Sequence, residues 1–187
     1  PSFFFIQMNK SGLLLLMLTG LIAKVSAQNG AAMENFLKAE LALINNKPDS
    51  AIYFYEQAYN LDSLLLTIMM NLGDLYFNTG EKGHAAKLYR KIVRQFNYNL
   101  DAGRKLLDYY QNSEQDQEAI SLLDSLLFYN PETIDLYYNL AGIYYEASDW
   151  DNLLDTYKTI YHLNPENQDL LNTILRIGLD LRKKEKL

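Results

Sequence analysis

The sequence of 187 residues contains no cysteine, which excludes disulfides, thiolate zinc sites and cysteine nucleophiles. Its two histidines, His84 and His162, stand far apart and fit no metal-binding pattern, so we expect surface or packing roles for them. Residues 80–83 lack the spacing of a phosphate-binding loop, and no nucleophile–base pair is evident. The sequence therefore predicts a protein that is not an enzyme and that uses no cofactor or metal.

Positive charge is also scarce. The formal net charge is -6, with 17 basic and 23 acidic side chains. Such a surface repels the phosphate backbone, so we expect no nucleic-acid partner. The short basic run at residues 182–186 is typical of a solvated helix end.

What the chain has instead is an internal repeat of 34 residues, with copies at 32–65, 66–99, 100–133 and 134–167. Aligning the copies produces three columns in which three of the four copies share the same residue. They are Tyr76, Tyr110 and Tyr144; Ala51, Ala85 and Ala119; and Tyr55, Tyr89 and Tyr157. One such unit cannot bury its apolar face alone, so stacked copies must bury it, which predicts a solenoid.

Each copy contains two stretches of helical length with apolar residues at helical spacing, separated by turn residues. Pro48 fits the first turn of a helix, and Asp149 fits the cap of a helix beginning at Trp150. Small residues recur where two helices cross closely. Leu107 and Leu153 break that rule, and we expect looser or shifted packing in their copies.

The period and the columns resemble the tetratricopeptide repeat, a helix-turn-helix unit, and the fourth copy matches best through Tyr137, Leu140, Tyr144, Tyr157 and Pro165. The resemblance implies an all-α solenoid of four units. Residues 168–187 begin like a further first helix and then become polar, which predicts a C-terminal capping helix. The alternative is a longer repeat array of which this chain is a part.

Tetratricopeptide solenoids typically bind extended peptides or a partner helix on the concave face, which their first helices line. The resemblance implies a groove lined by residues of all four copies. They are Phe36, Glu40, Met70, Asn71, Asp74, Phe77, Arg104, Lys105, Asp108, Tyr138, Asn139 and Tyr145. We expect the amides to bond a peptide backbone and the aromatic rings to provide apolar contacts. For Phe36 and Phe77, packing in the core competes with this role.

Glu40, Asp74 and Asp108 hold equivalent places in three copies and make one wall acidic, while Arg104 and Lys105 interrupt it. The groove therefore fits a polar, partly basic peptide. The carboxylate clamp that some members of the family use for chaperone tails is excluded. Phe36 and Glu40 stand where that clamp needs Lys and Asn.

The N-terminal residues 1–27 resemble an export signal that starts at Met8. Lys10 precedes an apolar stretch at residues 12–23, and small residues precede a cut after Ala27. Cleavage would leave residues 28–187 in the periplasm or cell envelope. If the segment is not cleaved, it would anchor the chain to a membrane.

The sequence thus predicts a non-catalytic scaffold that binds a protein or peptide in its groove. Two alternatives stay open: a structural solenoid that assembles with its own copies, and an auxiliary domain of a longer protein. The identity of the partner and the oligomeric state do not follow from the sequence.

Overall fold

The computed structural model describes residues 29–61 and 66–184, with the backbone alone at 180 and 182–184. The predicted export signal lies outside these residues. All regular secondary structure in the described part is α-helix. The helices are α1 (29–44), α2 (Pro48–Leu61), α3 (Leu66–Asn78), α4 (Lys82–Gln95), α5 (Leu100–Asn112), α6 (Asp116–Tyr129), α7 (Ile134–Glu146), α8 (Trp150–Leu163) and α9 (Gln168–Lys184).

The helices keep the period of the sequence. The helices α3, α5, α7 and α9 begin 34 residues apart, and so do α4, α6 and α8. Local signals set these bounds, as predicted. Pro48 is the first residue of α2, and the Asp149 carboxylate accepts a hydrogen bond from the Asn152 backbone N–H, 3.3 Å away, at the start of α8. The predicted pattern of paired helices is confirmed.

The chain divides into two compact units, Pro1–Leu88 and Tyr89–Leu187, whose boundary falls within α4. In the described part of the first unit, α2 packs on α3 around the fully buried side chains of Tyr55, Ile68 and Met69. In the second unit each helix from α5 to α9 packs on the next, and Leu123 and Leu136 are fully buried. Burial of these apolar side chains is the main stabilising term in both units.

The packing between α5 and α6 is shifted along the helix. Leu107 occupies the column that holds a small residue in the other copies, and it is buried. The helix α5 instead has a small residue, Gly103, one turn earlier. The side chain of Leu126 packs so closely there that a Cβ on Gly103 would lie 2.7 Å from its Cδ2. Gly103 thus allows the close approach that Leu107 prevents.

The turn inside each repeat has the same backbone conformation. Asn46, Gly80, Glu114 and Ser148 occupy one column, and their φ angles are 55°, 90°, 54° and 56°. Positive φ suits glycine and asparagine and strains other residues. Two copies therefore meet this requirement with a residue that fits it poorly.

Tyrosines of the first helices bond to the second helix of the preceding copy. The Tyr76 hydroxyl donates to the Glu56 carboxylate, and the Arg90 Nε donates to the Tyr110 hydroxyl at 3.0 Å. In both pairs the two residues are 20 positions apart. The same contact therefore recurs, with an acidic partner for Tyr76 and a basic partner for Tyr110. Burial, followed by the hydrogen bond to Glu56, raises the pKa of Tyr76. This column of tyrosines joins neighbouring copies.

Some apolar side chains of the first and last helices stay at the surface. Along α1, Leu37 and Leu41 are both 59% exposed and Ile44 is 81% exposed. On α9, Leu175 and Leu179 are exposed. Within residues 29–61 and 66–184, no helix combines the length and the apolar character needed to cross a membrane.

Candidate binding groove

In the first unit, the predicted groove residues of α1 and α3 meet in a hydrogen-bonded cluster. The buried Tyr55 hydroxyl donates to the Glu40 carboxylate, which also accepts from Asn71 Nδ2 at 3.1 Å. Asn71 Nδ2 lies 3.2 Å from the same hydroxyl, and the Phe36 ring packs edge-on against Tyr55 at 5.8 Å. We call Phe36, Glu40, Tyr55 and Asn71 the Tyr55 cluster.

The electrostatics of the Tyr55 cluster favour a fixed arrangement. Burial raises the pKa of Tyr55, and the hydrogen bond to Glu40 raises it further, because a tyrosinate beside a carboxylate is unfavourable. The hydroxyl therefore remains a donor, and Glu40 and the Asn71 amide are engaged with one another. Whether Asn71 also reaches a peptide stays a prediction.

The other predicted residues of this unit lie on α3. Met70, Asp74 and Phe77 are half-buried. The Phe77 ring carries the Lys82 ammonium 5.4 Å from its centroid. That distance is typical of a cation–π contact, so the Phe77 ring already contacts a cation within the protein.

In the second unit, a groove of about 680 Å³ lies between α5 and α7. It brings together the predicted residues Asp108, Tyr138 and Asn139. Polar side chains dominate the whole lining, which consists of Asp108, Gln111, Asn112, Asp116, Asp135, Tyr138, Asn139, Gly142, Ile143 and Glu146. Tyr138 is 46% exposed and offers an aromatic surface. We call this site the α5–α7 groove.

Hydrogen bonds already order part of the α5–α7 groove. The Arg104 guanidinium donates to Asp135 Oδ2 from Nη2 at 2.9 Å and from Nε at 3.1 Å, which neutralises the positive charge predicted here. Asn139 Nδ2 donates to the Asp135 backbone carbonyl at 2.8 Å. Within the described part of the chain, no lysine or arginine pairs with Asp108, Asp116 or Glu146. The groove is therefore acidic.

Two predicted residues of this unit lie elsewhere. The Lys105 ammonium is 5.9 Å from the centre of the Tyr89 ring. Tyr145 is 60% exposed and packs edge-on against Trp150 at 5.8 Å. It lines a separate pocket rather than the α5–α7 groove.

That pocket, of about 570 Å³, lies between α8 and α9 beside Tyr145 of α7. Its other lining residues are largely apolar, and the sequence did not single them out as a site. They are Trp150, Leu153, Tyr157, Thr173, Arg176, Ile177 and Leu181. We call it the α8–α9 pocket. It lies beside Leu153, in the copy where looser packing was predicted.

Comparison with known proteins supports the fold. No protein-family model matches the sequence, and no curated protein matches it. Among solved structures, MamA superposes with a TM-score of 0.59 at 18% identity, covering 83% of this chain and 92% of that chain. YrrB, described as a TPR protein with an unusual peptide-binding site, superposes with a TM-score of 0.58 at 20% identity, covering 83% of this chain and 80% of that chain.

The chain has the tetratricopeptide-repeat fold. MamA from Desulfovibrio magneticus RS-1 shares this architecture at 14% identity, with a TM-score of 0.57 over 83% of this chain and 96% of that chain. The predicted α-solenoid class is thus confirmed. Identities this low establish the fold, while the role of the individual tetratricopeptide groove residues depends on the geometry above.

Residues 29–61 and 66–184 of this tetratricopeptide array contain no group of three or more His, Asp and Glu side chains arranged to hold a metal ion. The signal that could have revealed the α8–α9 pocket is the column of Glu40, Asp74 and Asp108. In the fourth copy this column holds Gly142 instead of an acid. Gly142 lies in the fourth copy and lines the α5–α7 groove, while the pocket is lined by Tyr157 and Thr173. These two residues are the counterparts of Tyr55 and Asn71, which Glu40 contacts in the first copy.

Proposed function

We propose that the protein is a non-catalytic interaction module whose α5–α7 groove binds a basic, extended peptide segment of a partner protein. The observation that carries this proposal is the set of three carboxylates, Asp108, Asp116 and Glu146, with which no lysine or arginine pairs in the described structure. Lysine or arginine side chains of a peptide would supply that charge.

The surroundings of these carboxylates suit a peptide. Tyr138 presents an exposed ring at the edge of the groove, and Gln111 and Asn112 present amides that can both donate and accept hydrogen bonds. The arrangement resembles the common combination of a rigid aromatic anchor with polar contacts. The peptide-binding site described for YrrB, which shares the fold, supports the same function.

A direct test compares two short peptides with blocked termini, one containing several lysines and one with glutamine at each lysine. We expect only the lysine peptide to bind in a calorimetric titration. The variant Asp108→Asn/Asp116→Asn/Glu146→Gln should bind it about tenfold more weakly, because three partly exposed ion pairs are lost.

The matched control is Glu132→Gln/Asp151→Asn/Glu166→Gln, which removes the same charge from exposed positions outside the groove. Its affinity should stay close to that of the unchanged protein. Equal weakening in both triple variants would show that total charge rather than the groove attracts the peptide, and would contradict the proposal.

We further propose that the module acts as a scaffold in the periplasm or cell envelope. The pattern of Lys10, the apolar residues 12–23 and the small residues before Gln28 supports export. Expression of a reading frame beginning at Met8, followed by N-terminal sequencing of the envelope fraction, tests the location. A mature protein beginning at Gln28 is expected, and retention of the full chain in the cytoplasm would contradict export.

A structural role through self-association is the second candidate. The exposed stripe formed by Leu37, Leu41 and Ile44 on α1 favours it, because exposed apolar stripes of this kind often mark interfaces. If copies associate through this stripe, Leu37→Glu/Leu41→Glu will be monomeric in sedimentation equilibrium at concentrations where the unchanged protein forms oligomers. If the two sediment alike, the stripe is not an interface.

A further inference from the structure

The Tyr55 cluster shows what a buried tyrosine at this point of the repeat requires. Tyr55 is fully buried, and its hydroxyl donates to a carboxylate 15 residues earlier in the chain. A polar side chain 16 residues later, that of Asn71, lies beside the same hydroxyl. The carboxylate thus satisfies a donor that would otherwise lose its hydrogen bond on burial.

The fourth copy contains the equivalent tyrosine without its carboxylate, and this tyrosine is half-buried rather than fully buried. Tyr157 is equivalent to Tyr55, Thr173 is equivalent to Asn71, and Gly142 stands in the place of Glu40. A Cβ on Gly142 would meet nothing within 4 Å, so space exists where the acid is missing. Among the described residues, the Tyr157 hydroxyl makes no hydrogen bond.

The same place carries a positive charge. Tyr157 and Thr173 both line the α8–α9 pocket, together with Arg176. In the part of the chain that the structure describes, Arg176 makes no ion pair. A guanidinium and a tyrosine hydroxyl that line one cavity can together recognise a carboxylate.

The remainder of the pocket is apolar. Trp150, Leu153 and Ile177 contribute to its wall, and Tyr145 packs against Trp150 at its side. The volume of about 570 Å³ exceeds what one carboxylate needs. A ligand that fills it must therefore combine an acid with a large apolar group.

We propose that the α8–α9 pocket binds a glutamate side chain of a partner protein together with an adjacent large apolar residue. The glutamate takes the place that Glu40 holds in the first copy. It accepts a hydrogen bond from Tyr157 and pairs with Arg176, while the apolar side chain packs against Trp150 and Ile177. This site selects for negative charge, in contrast to the α5–α7 groove, so the two proposals can fail separately.

The protein contains its own reporter for this test, because Trp150 is its single tryptophan. Tryptophan emission of the full chain is recorded while a peptide with blocked termini, containing Glu-Leu between glycines and serines, is added. A saturable change in emission is expected. A matched peptide with glutamine in place of glutamate should bind about tenfold more weakly, because the charge-assisted contacts are lost.

Two variants each add one carboxylate to the protein, the first at the position equivalent to Glu40 and the second outside the pocket. Gly142 lines the α5–α7 groove, and a glutamate there, placed as Glu40 is in the first copy, would reach Tyr157 and Thr173. Gly142→Glu should therefore compete with the ligand, so the change in Trp150 emission should disappear. Asn172→Glu adds the same charge at an exposed position of α9 outside the pocket, and binding should be retained. Circular dichroism of both variants checks that the helices are intact.

Two results would overturn the proposal. One is equal affinity for the glutamate and glutamine peptides, and the other is equal binding by Gly142→Glu and Asn172→Glu. A third peptide, with a free C-terminal carboxylate on leucine and no glutamate, separates the source of the acid. Tighter binding of that peptide would assign the pocket to a chain end and would reject the glutamate side chain.

Discussion

At the scale of single residues, the turn inside each repeat imposes one conformation on four different side chains. Asn46 and Gly80 adopt positive φ readily, whereas Glu114 and Ser148 do so at a cost. Both of the latter are exposed, and neither makes a side-chain hydrogen bond among the described residues. Their strain is therefore not offset by local contacts.

This strain predicts that Glu114→Gly and Ser148→Gly will each stabilise the protein. The free energy of unfolding should rise by about 0.5–1 kcal/mol, because relief of the left-handed strain exceeds the extra chain entropy of glycine. Denaturant unfolding followed by circular dichroism measures the change. The reverse substitution, Gly80→Ala, should lower stability by about 1 kcal/mol, and an increase there would refute the argument.

At the scale of helices and their connections, the junctions between copies have the same length but contain different residues at equivalent positions. Pro131 and Pro165 follow the ends of α6 and α8. After α4 the equivalent residue is Asn97, whose φ is 48°, and Tyr98 follows with a φ of 53°. Proline is restricted to a φ near -65° and cannot adopt this conformation. The alignment of copies therefore suggests that proline would fit at position 97, but the backbone conformation there excludes it.

We predict that Asn97→Pro destabilises the protein by about 2 kcal/mol or more, although proline occupies the same column in two other copies. The physical reason is that the α4–α5 junction must be rebuilt around a negative φ. Thermal unfolding measures the loss. The control Asn97→Gly keeps positive φ accessible and should change stability little. A proline variant as stable as the glycine variant would contradict the left-handed junction.

At the scale of the whole molecule, the net charge of -6 acts on any charged partner before contact. We predict that the association rate of the lysine peptide falls about tenfold from low to high salt, while its dissociation rate changes less. Stopped-flow measurements at several ionic strengths separate the two rates. An effect confined to dissociation would mean that long-range attraction plays no part.

The repeat period predicted most of the fold because helix ends depend on local features. Pro48 and Asp149 set their helix starts through backbone geometry and one capping bond. Asp108, Tyr138 and Asn139, which the columns grouped, line one groove, since equivalent positions on neighbouring first helices face the same side.

The columns did not predict which side chains form hydrogen bonds with one another inside the protein. Arg104 pairs with Asp135, and Asn71 bonds Glu40, each across 31 residues. Such choices depend on side-chain conformations, which a periodic pattern does not fix. The repeat columns did not predict the α8–α9 pocket either. Its wall includes Trp150, Leu153 and Tyr157 of the second helix α8, whereas the predicted groove consisted of positions on first helices alone.

The constant distance between helix starts also has a consequence for the evolution of the repeat array. Because α3, α5, α7 and α9 begin at the same repeat position, recombination between two copies of the gene segment keeps the reading frame and the order of helices. Loss or gain of one block then changes the number of helix pairs by one. A single substitution can also change one copy alone. Gly142 gives the fourth copy a surface without the acid that the other three copies carry at this position.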